Sequence, residues 1–160
     1  MPYAVGKDPY LDEKTGVLRN LLGKTTSESL EAAEADIVWS EISIILHQTD
    51  LTFTDLTLDL FLGLHKQLFS SIYDWAGQLR TVEISKGTTS FARALHIRSS
   101  LEMLFRQFAT DDYVAANSKE QLVEKLAYYY GELNVIHPFR EGNGRTIRTF
   151  LSLVADCQGY

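Results

Sequence analysis

Cysteine and long apolar runs are almost absent from this sequence. The one cysteine among 160 residues, Cys157, cannot form an internal disulfide, and its place after an apolar helical pattern predicts a buried structural thiol rather than a nucleophile. No apolar run approaches the roughly 20 residues of a membrane-spanning helix, and residues 1–8 lack the apolar core of a signal peptide. These absences predict a soluble protein made in the cytoplasm, with no membrane partner.

Basic residues are also few. The chain has 15 lysines and arginines against 21 aspartates and glutamates, which gives a net charge of −6. Nucleic-acid binders usually carry a basic surface, so this balance argues against a nucleic-acid partner. A local basic pocket for a small anion stays compatible with this composition. The length of the chain suits a single domain.

The spacing of the apolar residues predicts a mainly helical, all-α fold. Residues 1–26 are polar, contain several glycines and prolines, and are expected to be irregular, ahead of a domain over 27–160. Five helices are predicted. Three of them span residues 28–47, 57–73 and 94–109; the fourth begins at Ser118, which is spaced from Gln121 as in a capping box, and the fifth begins near Gly144. Residues 81–85 alternate as a strand does, and a turn at Lys86–Gly87 with a return over 88–91 predicts one small β-hairpin.

A glycine-rich polar stretch, residues 137–148, precedes the fifth helix and contains His-Pro-Phe-Arg-Glu-Gly-Asn-Gly-Arg-Thr-Ile-Arg. Pro138 disfavours helical geometry in His137 and helps to end the fourth helix. Gly142 and Gly144 allow a tight turn with exposed backbone N–H groups. A helix that begins there presents free N–H donors and the positive end of its dipole, both of which attract phosphate.

The side chains of the same stretch have the chemistry of a phosphate site. Arg145 and Arg148 are three residues apart, hence on one helix face, and their planar guanidinium groups suit an anion. Glu141 is a hard oxygen ligand for magnesium, and His137 can take a proton from an attacking hydroxyl. Asn143 can donate its amide to a phosphate oxygen. Such residues can also occur in an ordinary helical connection, but together they favour a phosphoryl or nucleotidyl transfer site.

Residues 137–148 resemble the motif of the Fic family, His-x-Phe-x-Asp/Glu-Gly-Asn-Gly-Arg-x-x-Arg, with every fixed position matched. Two further segments are similar to the family, 73–78 (Tyr-Asp-Trp-Ala-Gly-Gln) and 16–20 (Gly-Val-Leu-Arg-Asn). The resemblance implies a Fic-type helical domain with a hairpin flap. It also implies a protein adenylyltransferase, which moves AMP from ATP to a Ser, Thr or Tyr hydroxyl of a target protein with the help of Mg2+.

The resemblance further implies roles for single residues. His137 would be the base, Glu141 would bind magnesium, and Phe139 would anchor the loop in the core. The residues that would bind the phosphates are Gly142, Asn143, Gly144, Arg145 and Arg148. The hairpin would dock the target by strand addition through Val82, Ile84, Lys86 and Gly87, although a purely structural edge stays an equal alternative.

Gly144 favours AMP transfer over phosphorylation, because the related Doc proteins, which transfer phosphate, carry Lys at that position. Transfer of another group, such as UMP or phosphocholine, and a non-catalytic Fic-fold binding module stay open as alternatives. Relatives include bacterial toxins and secreted effectors. Secretion into a host cell therefore stays open beside a cytoplasmic location.

Many relatives carry an inhibitory helix with Ser/Thr-x-x-x-Glu-Gly/Asn. Ser27 and Glu31 match this pattern in part, but Ala32 follows, so the segment is interpreted as an ordinary helix start. The family core commonly continues beyond the point where this chain stops, which raises the expectation of a truncated C-terminus. Inhibition is then expected from a small antitoxin-like protein or from a missing C-terminal segment.

Overall fold

Five α-helices and one two-stranded hairpin form the part of the chain that the computed structural model describes, residues 8–48, 51–111 and 118–160. The mainly helical prediction is confirmed. The helices are α1 Ser27–Gln48, α2 Leu58–Phe69, α3 Ile97–Thr110, α4 Lys119–Ile136 and α5 Asn143–Asp156, with short 3-10 turns at Phe53–Asp55 and Ala94–His96. None of the described helices is both long and apolar enough to cross a membrane.

Helix α5 lies at the centre of the fold and packs against α1, α2 and α4. Its inward face contributes Ile147 and Phe150 to the core, each at most 1% exposed. The ring of Phe61 from α2 lies 5.6 Å from the rings of Phe150 and Phe139. The loop that carries the polar motif is therefore attached directly to the aromatic core.

Helix α2 is shorter than predicted, because it ends at Phe69 rather than near Tyr73. The backbone N–H groups of Ile72 and Tyr73 both donate to the Phe69 carbonyl, which closes the helix in a turn. Ile72 and Tyr73 are nevertheless almost fully buried. Their apolar spacing continued the helical pattern, although the backbone had already left the helix.

The hairpin is present but smaller than predicted, and its turn is one residue further on. Strand β1, Ser85–Lys86, pairs antiparallel with β2, Thr89–Ser90, and the turn is at Gly87–Thr88 instead of Lys86–Gly87. Val82 and Ile84 precede the strand and are half-buried, while their neighbours are exposed. The alternation over 81–85 therefore reflects burial along an extended segment rather than a paired strand.

The segment before α1 is irregular over residues 8–26, as predicted, yet it packs on the domain. Leu11 and Leu18 form an isolated antiparallel bridge. Tyr10 is 8% exposed, and its ring meets that of Trp75 edge-on at 5.3 Å. Residues 1–7, which include the first breakers of the predicted irregular segment, lie outside the described residues.

Cys157 is half-buried rather than buried as predicted, and its thiol donates to the carbonyl of Leu51 at 3.2 Å. Burial raises the pKa of this thiol, which disfavours the nucleophilic thiolate.

Candidate functional site

The loop between α4 and α5 begins and ends in left-handed backbone conformation. His137, directly after α4, has φ 48° and ψ 63° and is the one non-glycine residue of the described chain with a positive φ. Gly142, directly before α5, has φ 81°. A Cβ atom on Gly142 would lie 2.3 Å from Cζ of Phe69, so the site requires glycine. The loop thus connects His137 to the N-terminus of α5.

Asn143 stabilises this loop from inside. Its side-chain oxygen accepts from the N–H of Phe139 at 2.8 Å, and its amide donates to the carbonyl of the same residue at 2.8 Å. The side chain is buried, since the residue is 3% exposed. The sequence predicted that this amide would donate to a phosphate. In the structure one of the two amide N–H groups is engaged by the loop backbone, and donation to a phosphate stays a prediction.

His65 from α2 supports the loop through contacts with Phe139 and Glu141, and it was not among the residues predicted from the sequence. Its ring stacks on Phe139 at 3.7 Å, and its Nδ1 accepts from the N–H of Gly77 at 2.8 Å. Since Nδ1 is the acceptor, Nε2 carries the hydrogen and donates to the carbonyl of Glu141 at 3.0 Å. Burial lowers the pKa of His65 to about 4, so the ring is neutral. A histidine inside the apolar stripe of α2 was the available clue.

The side chain of His137 is oriented as a proton acceptor. Its ring stacks on Phe91 at 3.8 Å, and its Nδ1 lies 3.1 Å from the carbonyl oxygen of Asn134. A carbonyl can only accept, so Nδ1 carries the hydrogen and the neutral ring has its lone pair on Nε2. Burial, the largest effect, lowers the pKa of His137, although the bond to Asn134 opposes it. The basic, uncharged form is thereby favoured near neutral pH.

Glu141 presents a partly exposed carboxylate at the start of α5. Its Oε1 accepts from the N–H of Gly142 at 2.9 Å and lies 3.4 Å from Nη2 of Arg145. Within the described ranges, no group of three or more His, Cys, Asp or Glu residues could enclose a metal ion. Mg2+ is commonly held by one or two carboxylates together with substrate phosphates and water. A single partly exposed carboxylate next to the N-terminus of α5 fits that kind of magnesium binding.

Glu34 from α1 reaches Arg145, and the sequence analysis missed this contact as well. Glu34 is 5% exposed as a residue, and its carboxylate accepts from the Arg145 guanidinium and from the Tyr73 hydroxyl. Burial, followed by the proximity of Glu34, raises the pKa of Tyr73 well above its usual value, so the phenol stays protonated. Arg145 also lies over the ring of Phe69, 5.0 Å from its centre. An acidic residue between the buried Leu30 and Val38 was the clue.

Arg148 lies on the same turn of α5 but points elsewhere. Its guanidinium folds over Gly144, so that Nη1 is 3.1 Å from where a Cβ atom on that glycine would lie. Arg148 is exposed, whereas Arg145 is half-buried against Glu34. The predicted shared face is therefore present at the backbone, but the two guanidinium groups have different surroundings.

A cavity of about 450 Å³ lies beside Arg145 and Glu141. The irregular segment forms one wall with Leu11, Val17 and Leu18, and α1 forms another with Glu31 and Glu34. Arg140, which also lines the cavity, donates to Asp8 at 2.9 Å and fixes the segment in place. The irregular segment before α1 thus lines the same cavity as Glu141 and Arg145.

Comparison with known proteins gives a consistent result. Residues 55–155 match the sequence profile of the Fic/DOC family. Protein adenylyltransferase VbhT of Bartonella schoenbuchensis is 37% identical over 158 residues, which are 99% of this chain and 33% of VbhT. Probable protein adenylyltransferase Fic of Salmonella typhimurium is 35% identical over 158 residues, 99% of this chain and 77% of that protein.

A solved structure agrees with the fold. The N-terminal Fic domain of an effector protein from Bartonella sp. AR 15-3, a substrate of the VirB type IV secretion system, superposes with a TM-score of 0.83 at 27% identity. The match covers 94% of this chain and 72% of that one. The chain spans about a third of the length of VbhT and about three quarters of the Salmonella protein.

Proposed function

This chain belongs to the Fic/DOC family, and we propose that it is a protein adenylyltransferase, which transfers AMP from ATP to a hydroxyl side chain of a target protein. The observation that carries this proposal is the tautomer of His137, whose Nε2 is unprotonated, on the loop that leads into a helix N-terminus suited to phosphate. The names of the two similar adenylyltransferases support the same reaction.

In the proposed reaction, His137 Nε2 takes the proton of the acceptor hydroxyl. The hydroxyl oxygen forms a bond to the α-phosphorus of ATP while the bond between that phosphorus and the bridging oxygen breaks, which releases pyrophosphate. The first N–H groups of α5, at Asn143 and Gly144, would bind phosphate oxygens, with Gly142 shaping the turn. Arg145 and Arg148 would neutralise the leaving group.

Glu141 would hold Mg2+ against the phosphates of ATP. The ion would supply charge neutralisation for the phosphate oxygens when bound. The carboxylate is partly exposed and already oriented by the Gly142 N–H, as a ligand for a metal shared with substrate needs to be. Phe139, which is fully buried, would keep the loop on the core while substrate binds.

The hairpin would dock the target segment. Both of its strands are exposed, with Lys86 and Gly87 at the tip, so a partner strand has access to an unpaired edge. Val82 and Ile84 are half-buried and would support the flap from beneath rather than contact the target. A purely structural edge remains the alternative, and the hairpin residues themselves can be tested by substitution.

A small antitoxin-like protein would regulate the enzyme by placing a glutamate against Arg148. The exposed position of that arginine supports this role, since a partner can reach it. Glu31 lines the cavity of Arg145 but is itself exposed, so we keep Ser27–Glu31 as an ordinary helix start. Delivery into a host cell would follow the example of the Bartonella effector, which is a secretion substrate.

Isotope labelling tests the reaction. The purified chain is incubated with magnesium and a cell lysate, and the ATP carries its label on either the α- or the γ-phosphate. We expect α-label on a protein target, none from the γ-position, and none after chelation with EDTA or in Glu141→Gln. Transfer of the γ-label would identify a kinase, as would be expected of Doc relatives. If labelled UTP alone marks the target, the nucleotide donor is UTP rather than ATP. If no nucleotide transfers its label, the chain is a binding module.

A further inference from the structure

We propose that Arg80 is a positioning residue for the transfer reaction, because its buried guanidinium connects the backbone of His137 to both ends of the hairpin segment. The expected effect of Arg80 on the transfer rate rests on the proposed function. The expected effect on the position of His137 relative to the hairpin concerns the structure alone. Arg80 lies just after the turn at 73–78 and was not singled out in the sequence.

The guanidinium donates to carbonyl groups on both sides of the site. Nε donates to His137 at 2.8 Å, and Nη1 donates to Val82 at 2.6 Å, where the chain enters the hairpin. Nη2 donates to Ala92, where the chain leaves it, and lies 3.4 Å from the carbonyl of Ile136 at the end of α4. One planar group thus joins the hairpin entry, the hairpin exit and the base.

The backbone of the same residue adds a further bond, because the N–H of Arg80 donates to the carbonyl of Pro138 at 2.9 Å. Arg80 therefore contacts residues 136, 137 and 138, where the chain turns out of α4 in left-handed conformation. The carbonyls at the end of a helix lack partners within the helix, and here a side chain supplies one. A non-glycine residue with positive φ needs such surrounding support.

An ion pair is a poor explanation for this arginine. The side chain is 0% exposed, and among the described residues the one carboxylate within ion-pair distance belongs to the largely exposed Glu83, 3.9 Å from Nη1. A buried cation is costly unless its donors are matched, and here the donors are matched by carbonyl oxygens. Lysine has three donors on a flexible stem and cannot reproduce a planar fork that reaches four carbonyls.

Arg80 also acts on His137 electrostatically. The charged groups that influence His137 are Arg80 and Lys86, which lower its pKa, and Glu141, which raises it. Removing the charge at Arg80 should therefore raise the pKa of the His137 imidazole. A residue that only filled space would leave this titration unchanged.

The test compares Arg80→Lys, Arg80→Met and a matched control, Arg93→Lys, which changes an exposed arginine at the end of the hairpin segment. For Arg80→Lys we expect kcat to fall about 10- to 100-fold with KM for ATP unchanged, because the base is displaced while the phosphate site is intact. Amide hydrogen exchange should accelerate over residues 82–92 and at His137. Arg93→Lys should match the wild type in each measurement.

NMR titration of His137 supplies the second readout. We expect a higher imidazole pKa in Arg80→Met than in Arg80→Lys, which keeps the charge. A folded Arg80→Lys with wild-type kcat and exchange rates would overturn the proposal, and so would failure of both Arg80 variants to fold, because that result indicates a role in folding. Absence of AMP transfer by the wild type would instead reject the proposed function. Amide hydrogen exchange and the NMR titration of His137 would still test the role of Arg80.

Discussion

At the scale of single residues, His137 obtains its chemical state from its immediate surroundings. The carbonyl of Asn134 selects the tautomer, and stacking on Phe91 limits rotation of the ring. Burial favours the uncharged form. A free histidine has none of these constraints, so both the orientation and the protonation state are consequences of the position at the end of α4.

Replacing His137 with alanine should reduce transfer by about two to four orders of magnitude, the usual contribution of a general base. ATP binding should persist, because the proposed phosphate contacts lie in α5 and its preceding turn. Transfer of α-labelled AMP and ATP affinity are the measurements, with the exposed His47→Ala as control. Wild-type transfer rates in His137→Ala would contradict the mechanism.

Gly142→Ala should destabilise the fold by about 1–3 kcal/mol, since the new methyl group would overlap the Phe69 ring. The positive φ adds strain in the same direction. Thermal unfolding measures the effect. The matched control is Gly131→Ala within α4, where a Cβ meets nothing within 4 Å and should stabilise the helix by about 0.5–1 kcal/mol. Equal losses in both variants would refute the explanation.

At the scale of secondary-structure elements, the contact between α1 and α5 includes one buried carboxylate, that of Glu34. Glu34 connects Arg145 at the start of α5 to Tyr73 in the turn after α2. The three groups come from separate parts of the chain. The Glu34 carboxylate and the Arg145 guanidinium neutralise each other, and the uncharged Tyr73 hydroxyl donates a hydrogen bond to the carboxylate. The orientation of Arg145 toward the cavity is therefore set by α1 rather than by α5 alone.

Glu34→Gln should lower the free energy of unfolding by about 1–3 kcal/mol, because Arg145 loses its buried counter-ion while remaining partly solvated. Urea unfolding measures this, and Glu31→Gln, one turn earlier and exposed, should change stability by less than about 0.5 kcal/mol.

The same control variant also tests regulation. Glu31→Gln should leave transfer by the purified chain unchanged, since Ser27–Glu31 is interpreted as a helix start. A silent wild type that becomes active on this substitution would show that the segment is inhibitory after all.

At the scale of the whole molecule, buried histidines make stability depend on pH. The pKa of His65 is about 4 in the folded state and near 6.5 when exposed. Between these values the unfolded chain binds a proton that the folded chain does not, so stability falls as pH decreases. His137, whose pKa is also lowered, acts in the same direction.

Urea unfolding should therefore show a loss of about 2–3 kcal/mol between pH 7 and pH 4.5, most of it attributable to His65. His65→Asn should be less stable at pH 7 but should show a much smaller dependence on pH over this range. Asp12 and Asp55 are the carboxylates whose pKa is shifted. Hydrogen bonds lower the pKa of each below 3.8, so both stay ionised in the folded protein between pH 7 and pH 4.5. A flat profile for the wild type would contradict the assignment.

The sequence by itself determined the helices and the motif loop, because both depend on local information. Apolar spacing predicts which segments are helical, and the N-cap of α4 followed from Ser118, whose side chain accepts from the Gln121 N–H. Gly142 marks the turn before α5, because glycine adopts a positive φ easily, although its clash with Phe69 of α2 could not be seen in the sequence. The extents of α2 and of the hairpin were less predictable, since burial of a turn or of an extended segment produces the same apolar pattern.

Only the tertiary structure decided how the site is supported. Glu34 and Arg145 are 111 residues apart, and Arg80 and His137 are 57 apart. His65 reaches the Glu141 carbonyl across 76 residues. Contacts of this kind leave no local pattern, because each residue alone resembles an ordinary member of its helix or loop. They form only when packing of α1 and α2 against α5 removes water from these polar groups, which then require one another as partners.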